Sequence, residues 1–114
     1  MSKNSYYNMI KDKTASLFSA SCELSARVSS NRQADYCNFK NFGENFGIAY
    51  QIKDDLNDII YNTKLLGKPA NLDLKRNTLT LPYIHCVNEL EPNQKSNFLI
   101  HINNYSKKNK YKEI

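Results

Sequence analysis

Between Ser5 and Ser29, Ile10, Leu17, Leu24 and Val28 recur at helical spacing on one seam that Thr14 and Ser21 complete, so the pattern predicts a first helix. The polar stretch Ser29 to Arg32 breaks it. From Gln33 to Tyr61 the pattern predicts a long second helix carrying Phe42, Phe46, Ile48, Tyr50, Ile52, Leu56, Ile59 and Ile60 around much of its cylinder. Such a helix reads as a core element with little to show to water. The short connection makes the two helices antiparallel neighbours. After Tyr61 comes a loop, NTKLLGKPANLDLKRN. Thr80 then suits an N-cap with Pro82 in the first turn of a helix through Tyr83, Ile84, Val87 and Leu90. Pro92 opens another, with Phe98, Leu99, Ile102 and Tyr105 on its apolar face. No β-alternation, nucleotide-binding glycine loop or nucleophile elbow is present. The expected fold is all-α, an antiparallel helix bundle.

The second helix carries a chemical pattern. Gly43, Gly47, Gln51, Asp54 and Asp58 fall within about 80° of one another at spacings of four and three residues. This is a stripe of bare backbone leading to an amide and carboxylates, with Asp55 beside it. Asp54, Asp55 and Asp58 at a helix end repel one another and face the unfavourable pole of the helix dipole. A hard cation such as Mg²⁺ removes both penalties, since it takes oxygen ligands and is completed by phosphates and water. The residues alone leave a second reading open, in which the aspartates only solubilise a helix terminus. Gly43 and Gly47 imply close approach of another helix or a ligand, because each costs about 1 kcal/mol relative to alanine. The first helix offers matching small residues in Ala15, Ser16, Ser19, Ala20, Ser21, Ser25 and Ala26. Its Lys13 reads as a solvated side chain when taken alone. In the loop, Gly67 and Pro69 fix the backbone around Lys68. Its cations are either ligand contacts for the same site or parts of a salt-bridged surface.

The length of 114 residues, with 40% hydrophobic residues, suits one small domain. Residues 1–105 form its body and residues 106–114 a basic flexible tail. No run approaches a membrane span or a secretory signal, and Cys22, Cys37 and Cys86 have neither zinc nor disulfide spacing. These features predict a soluble chain with reduced, partly buried cysteines. His85 and His101 are isolated and read as packing residues. The net charge of +5 suits an anionic partner, but much of it lies in Lys107, Lys108, Lys110 and Lys112 of the tail. Nothing in the body reads bases, so no specific nucleic-acid partner is expected.

Taken in order, KTASLF at Lys13 to Phe18, FGENFGIAYQIKDDLND at Phe42 to Asp58, LGKPANLDL at Leu66 to Leu74 and TLP at Thr80 to Pro82 resemble the trans-isoprenyl diphosphate synthase (polyprenyl synthetase) family. The resemblance runs from about Tyr6 to Leu90. It implies part of the isoprenoid synthase fold and a head-to-tail prenyltransferase, which ionises an allylic diphosphate with Mg²⁺ and joins the carbocation to isopentenyl diphosphate. By position, Asp54, Asp55 and Asp58 are the second aspartate-rich motif, with Asp54 and Asp58 nearest the metal. Lys13 and Lys68 contact the allylic diphosphate, and Gln51 and Thr14 line the same pocket.

The chain departs from the family pattern where Asn77 and Thr78 replace a Gly-Lys pair before TLP, which removes a cation unless Lys75 or Arg76 substitutes. A larger departure is that the family's first aspartate-rich motif and isopentenyl diphosphate site lie upstream of KT. The chain therefore looks like the C-terminal part of such an enzyme, incomplete and inactive alone. Its exposed core-facing stripes should make it unstable or sticky. A second chain or a homo-oligomer would supply the missing helices. A non-catalytic regulatory partner of a full-length synthase and a truncated remnant are the competing readings. A cytoplasmic or plastid setting fits the cysteines.

Overall fold

The computed structural model describes residues 2–61, 71, 74 and 79–110. Helix α1 (Lys3–Ile10) runs into a π-helical turn (Lys11–Ala15) and on into α2 (Ser16–Ser29). Helix α3 (Gln33–Ile60), α4 (Leu81–Glu89) and α5 (Pro92–Lys110) follow. The described residues contain no strand, and the all-α expectation holds. Lys68 and the other cations of the loop, Lys64, Lys75 and Arg76, lie outside the described residues. The chain divides into two compact units, Asn4–Asp54 and Met1–Lys3 with Asp55–Ile114.

In the unit Asn4–Asp54, the chain stays helical from Asn4 to Ser29, and no glycine or proline precedes Gly43. Ser30 ends α2 in an extended conformation, φ −140° and ψ 150°. Its hydroxyl accepts from the Arg32 N–H at 3.1 Å and donates to the Asp35 carboxylate, while the Tyr36 hydroxyl donates to the Ser30 carbonyl at 2.8 Å. The Arg27 guanidinium covers the Tyr36 ring at 4.6 Å. These local bonds fix the reversal, and α3 returns antiparallel along α2.

The two helices meet backbone to backbone. A Cβ at Gly43 would stand 2.4 Å from the Phe18 carbonyl oxygen, and one at Gly47 would stand 2.6 Å from the Ala15 Cα. Ser19 lies in the same seam and donates to the Lys40 carbonyl at 3.1 Å. The close approach implied by the glycines is thus between helices. Phe18 closes the seam beyond Gly47, with its ring 5.3 Å from Phe46 and 5.6 Å from Tyr50.

The inward face of α2 differs from the expected one. Ile10 is 1% exposed, as the apolar seam predicts, but Leu17, Leu24 and Val28 are 71, 62 and 86% exposed. Small residues, Ala15, Ser19 and Ala26, are buried in their place. The π turn is the cause: one extra residue in a turn rotates everything after it by about 100° relative to everything before. Helix α3 also shows more to water than expected, since Phe42, Phe46 and Tyr50 remain about half exposed.

An exposed apolar surface of this kind is adhesive. Val28→Lys combined with Leu24→Lys is expected to reduce concentration-dependent association, read by sedimentation velocity, while leaving the thermal midpoint of the chain within about 2 °C.

In the other unit, Pro82 lies in the first turn of α4, and the Thr80 carbonyl accepts the Ile84 N–H at 3.0 Å. The Thr80 hydroxyl makes no capping bond, so Thr80 holds the N-cap position through its backbone alone. Gln94 reaches back to the Glu91 N–H at 3.4 Å, half of a capping box, and starts α5. Helix α4 packs on α5, and Ile84, Val87 and Ile102 are buried. Helix α5 continues across the boundary expected at Tyr105, through Lys110.

All three cysteines are free, but only Cys22 is partly buried; Cys37 and Cys86 are exposed at their helix surfaces. The histidines are also exposed rather than packed. His85 Nδ1 lies 3.2 Å from the Lys3 ammonium, and His101 Nδ1 lies 2.7 Å from the Asn97 carbonyl.

Candidate functional site

The KT segment sits on the π turn. The Ser16 N–H bonds the Lys11 carbonyl five residues back, and the Ser16 hydroxyl donates to the Asp12 carbonyl at 2.7 Å. Single π turns inside α-helices occur often at functional sites. No residue in KDKTA announces one, because nothing there breaks a helix. Thr14 is half-buried, and its hydroxyl donates to the Gln51 amide oxygen at 2.7 Å. The structure therefore brings together these two predicted pocket residues, 37 positions apart. Lys13, beside Thr14, is exposed. Lys11 at the start of the turn pairs with Glu44 on α3 at 3.0 Å.

Helix α3 also carries an aromatic row. Phe42 and Phe46 stack with ring centroids 6.1 Å apart, and Phe46 and Tyr50 follow at 6.5 Å. Phe18 leans on it from α2.

Helix α3 continues past Gln51 without interruption through Asp54, Asp55 and Asp58. Asp55 and Asp58 are 5% and 4% exposed, and Asp54 is half-buried. Carboxylates that only solubilise a helix end face water. Asp55 and Asp58 do not, which removes the basis of that reading for both. Each of Asp54, Asp55 and Asp58 has an interaction partner in the fold. Beyond α3, the Asn71 N–H donates to the Asp58 carbonyl at 3.2 Å, with Asn71 in the left-handed region at φ 56° that asparagine tolerates.

Among the described residues no group of three or more His, Cys, Asp or Glu side chains is arranged to enclose a metal ion. Mg²⁺ does not need such an enclosure, because it is commonly held by one or two carboxylates while phosphates and water complete its octahedron. The oxygen-only donors Asp54, Asp55 and Asp58 fit that role. An open groove of about 330 Å³ between α2 and α3 is lined by Lys11, Lys40, Glu23 and Glu44. Three of its five charged side chains are taken up in the Lys11–Glu44 and Glu23–Arg27 pairs and Asp12 adds a further carboxylate, so it competes poorly as an anion site.

The family model described as Polyprenyl synthetase matches residues 1–114. A prenyl transferase of Cyanidium caldarium is 41% identical over 87 residues, covering 71% of this chain and 27% of that protein. Heptaprenyl diphosphate synthase component 2 of Geobacillus stearothermophilus is 34% identical over 84 residues, 74% of this chain and 26% of that protein. Among solved structures, geranylgeranyl pyrophosphate synthetase from Pyrococcus horikoshii superposes with a TM-score of 0.80 at 29% identity, covering 96% of this chain and 35% of that one. With the fold and a model match over its whole length in agreement, the chain belongs to the polyprenyl synthetase family. It spans between a quarter and a third of the curated relatives just given. No described helix is long and apolar enough to cross a membrane.

Proposed function

We propose that this chain is a prenyltransferase polypeptide of isoprenoid biosynthesis that binds the diphosphate of an allylic substrate as one half of a metal clamp, for chain elongation with isopentenyl diphosphate. The observation that carries this reading is the Thr14–Gln51 bond of 2.7 Å, which holds the KT segment on α3 three residues before Asp54. Asp54 and Asp58 hold Mg²⁺ with Asp55 beside them. Lys13 and Lys68 take diphosphate oxygens, and Thr14 and Gln51 fix the pocket wall. Bound Mg²⁺ supplies charge neutralisation of the leaving diphosphate. The chain's own cations act in the same sense, because preorganised positive charge stabilises the leaving group more as the carbon–oxygen bond breaks than before. The half-exposed aromatic row offers the hydrocarbon an apolar surface.

In this reading the clamp needs a second half, supplied by a second chain, a further copy or a longer gene product, in the cytoplasm or a plastid. The exposed apolar faces of α2 and α3 support such a partner, and one relative is itself called a component of its synthase. They support equally a second reading, a non-catalytic subunit that docks on a full-length synthase. The deciding experiment titrates the purified chain with an unreactive allylic diphosphate analogue, with and without Mg²⁺, following heat and helicity together. Magnesium-dependent binding is the expected result. A well-folded chain that does not bind favours the docking subunit, and an unfolded one that does not bind favours a remnant.

A further inference from the structure

We propose that the π turn at Lys11–Ala15 sets the rotational register of Lys13 and Thr14, and that Gly47 is the positioning residue that holds this turn in place; the proposal rests on the diphosphate reading above. A π turn inside a long helix needs support from outside, because its wider ring makes poorer use of the backbone than the α-helix on either side. Here the support comes from α3. Ala15, the last residue of the turn, is fully buried, and its Cα would lie 2.6 Å from a Cβ at Gly47. One residue earlier, the Thr14 hydroxyl bonds Gln51, which lies one turn beyond Gly47 on the same side of α3. The start of the turn is tied to α3 by the Lys11–Glu44 pair at 3.0 Å. Side chain and backbone of the turn are therefore gripped by a single side of α3, and Lys13 is left exposed between the two grips. A side chain at Gly47 pushes on Ala15 and rotates Lys13 and Thr14 away from the line of α3.

The molecule contains its own control. A Cβ at Gly43 meets backbone just as closely, 2.4 Å from the Phe18 carbonyl oxygen and 2.9 Å from the Ser19 Cα, but does so in the regular α-helix of α2. Gly47→Ala and Gly43→Ala are compared in the full chain by calorimetric titration with the allylic diphosphate analogue and Mg²⁺, with thermal midpoints measured alongside. Both variants are expected to lose similar amounts of stability. Gly47→Ala is expected to lose at least about tenfold in analogue affinity and Gly43→Ala less than about threefold, in line with the cost of misplacing a binding group by about 1 Å.

Equal affinity losses in the two variants, or unchanged affinity in Gly47→Ala, overturn the positioning role and leave the diphosphate reading standing. A wild-type chain that does not bind overturns both. If Gly47→Ala does not fold, Ala15→Gly inside the turn carries the test against Ala26→Gly, a second buried alanine in regular α2. The two share the same intrinsic helix cost. Only Ala15→Gly is expected to weaken the analogue, and equal losses overturn the proposal.

Discussion

Replacing Asp58 or Asp54 by asparagine is expected to weaken Mg²⁺-dependent binding of an allylic diphosphate analogue by about 100-fold or more. The size follows from removing one charge of a close, poorly solvated pair, which costs about 2–5 kcal/mol, where each 1.4 kcal/mol is tenfold. If the aspartates serve the fold alone, asparagine changes neither analogue binding nor the response of the thermal midpoint to Mg²⁺. If they hold metal, wild-type chain gains stability as Mg²⁺ and analogue are added together and the variants do not. Thermal scans at several Mg²⁺ concentrations read both, and a wild-type midpoint that ignores Mg²⁺ with analogue present rules out the metal role.

What could be read along the chain was what local rules determine. The long helix was expected from Gln33 to Tyr61 and runs from Gln33 to Ile60, after the polar break that opens it. Thr80 with Pro82 and then Pro92 marked the later helix starts, which observed α4 and α5 follow. Gly43 and Gly47 announced a close approach, since nothing else justifies glycine inside a helix. Periodicity could not say what covers an apolar face, and so Phe42, Phe46 and Tyr50 read as core although they remain half exposed in this chain. The KT segment and the YQ segment were placed in one pocket by resemblance alone. A hydrogen bond across 37 residues leaves no trace in spacing. Nor does a π turn, whose residues are as compatible with an α-helix; its signature appears only in which of the later residues turn inward.

That signature leads to a contrast in stability that tests the turn without any ligand. Ile10→Ala is expected to destabilise the chain by about 2–5 kcal/mol, the usual cost of emptying a buried aliphatic site. Leu17→Ala and Leu24→Ala are expected to stay within about 0.5 kcal/mol, as surface substitutions do. In an unbroken α-helix, residues seven apart lie within about 20° of one another, so the three positions would share a face and behave alike. The π turn separates them: Ile10 stands before it at 1% exposure, and Leu17 and Leu24 stand after it at 71 and 62%. Against a total stability of roughly 5–15 kcal/mol, the loss at Ile10 is large enough to show as a midpoint lower by about 8 °C or more. Comparable losses at Ile10 and Leu17 would mean that α1 and α2 are one continuous α-helix in solution. Lys13 and Thr14 would then face a different direction, and the Thr14–Gln51 contact on which the half-site depends would have to be made by another route.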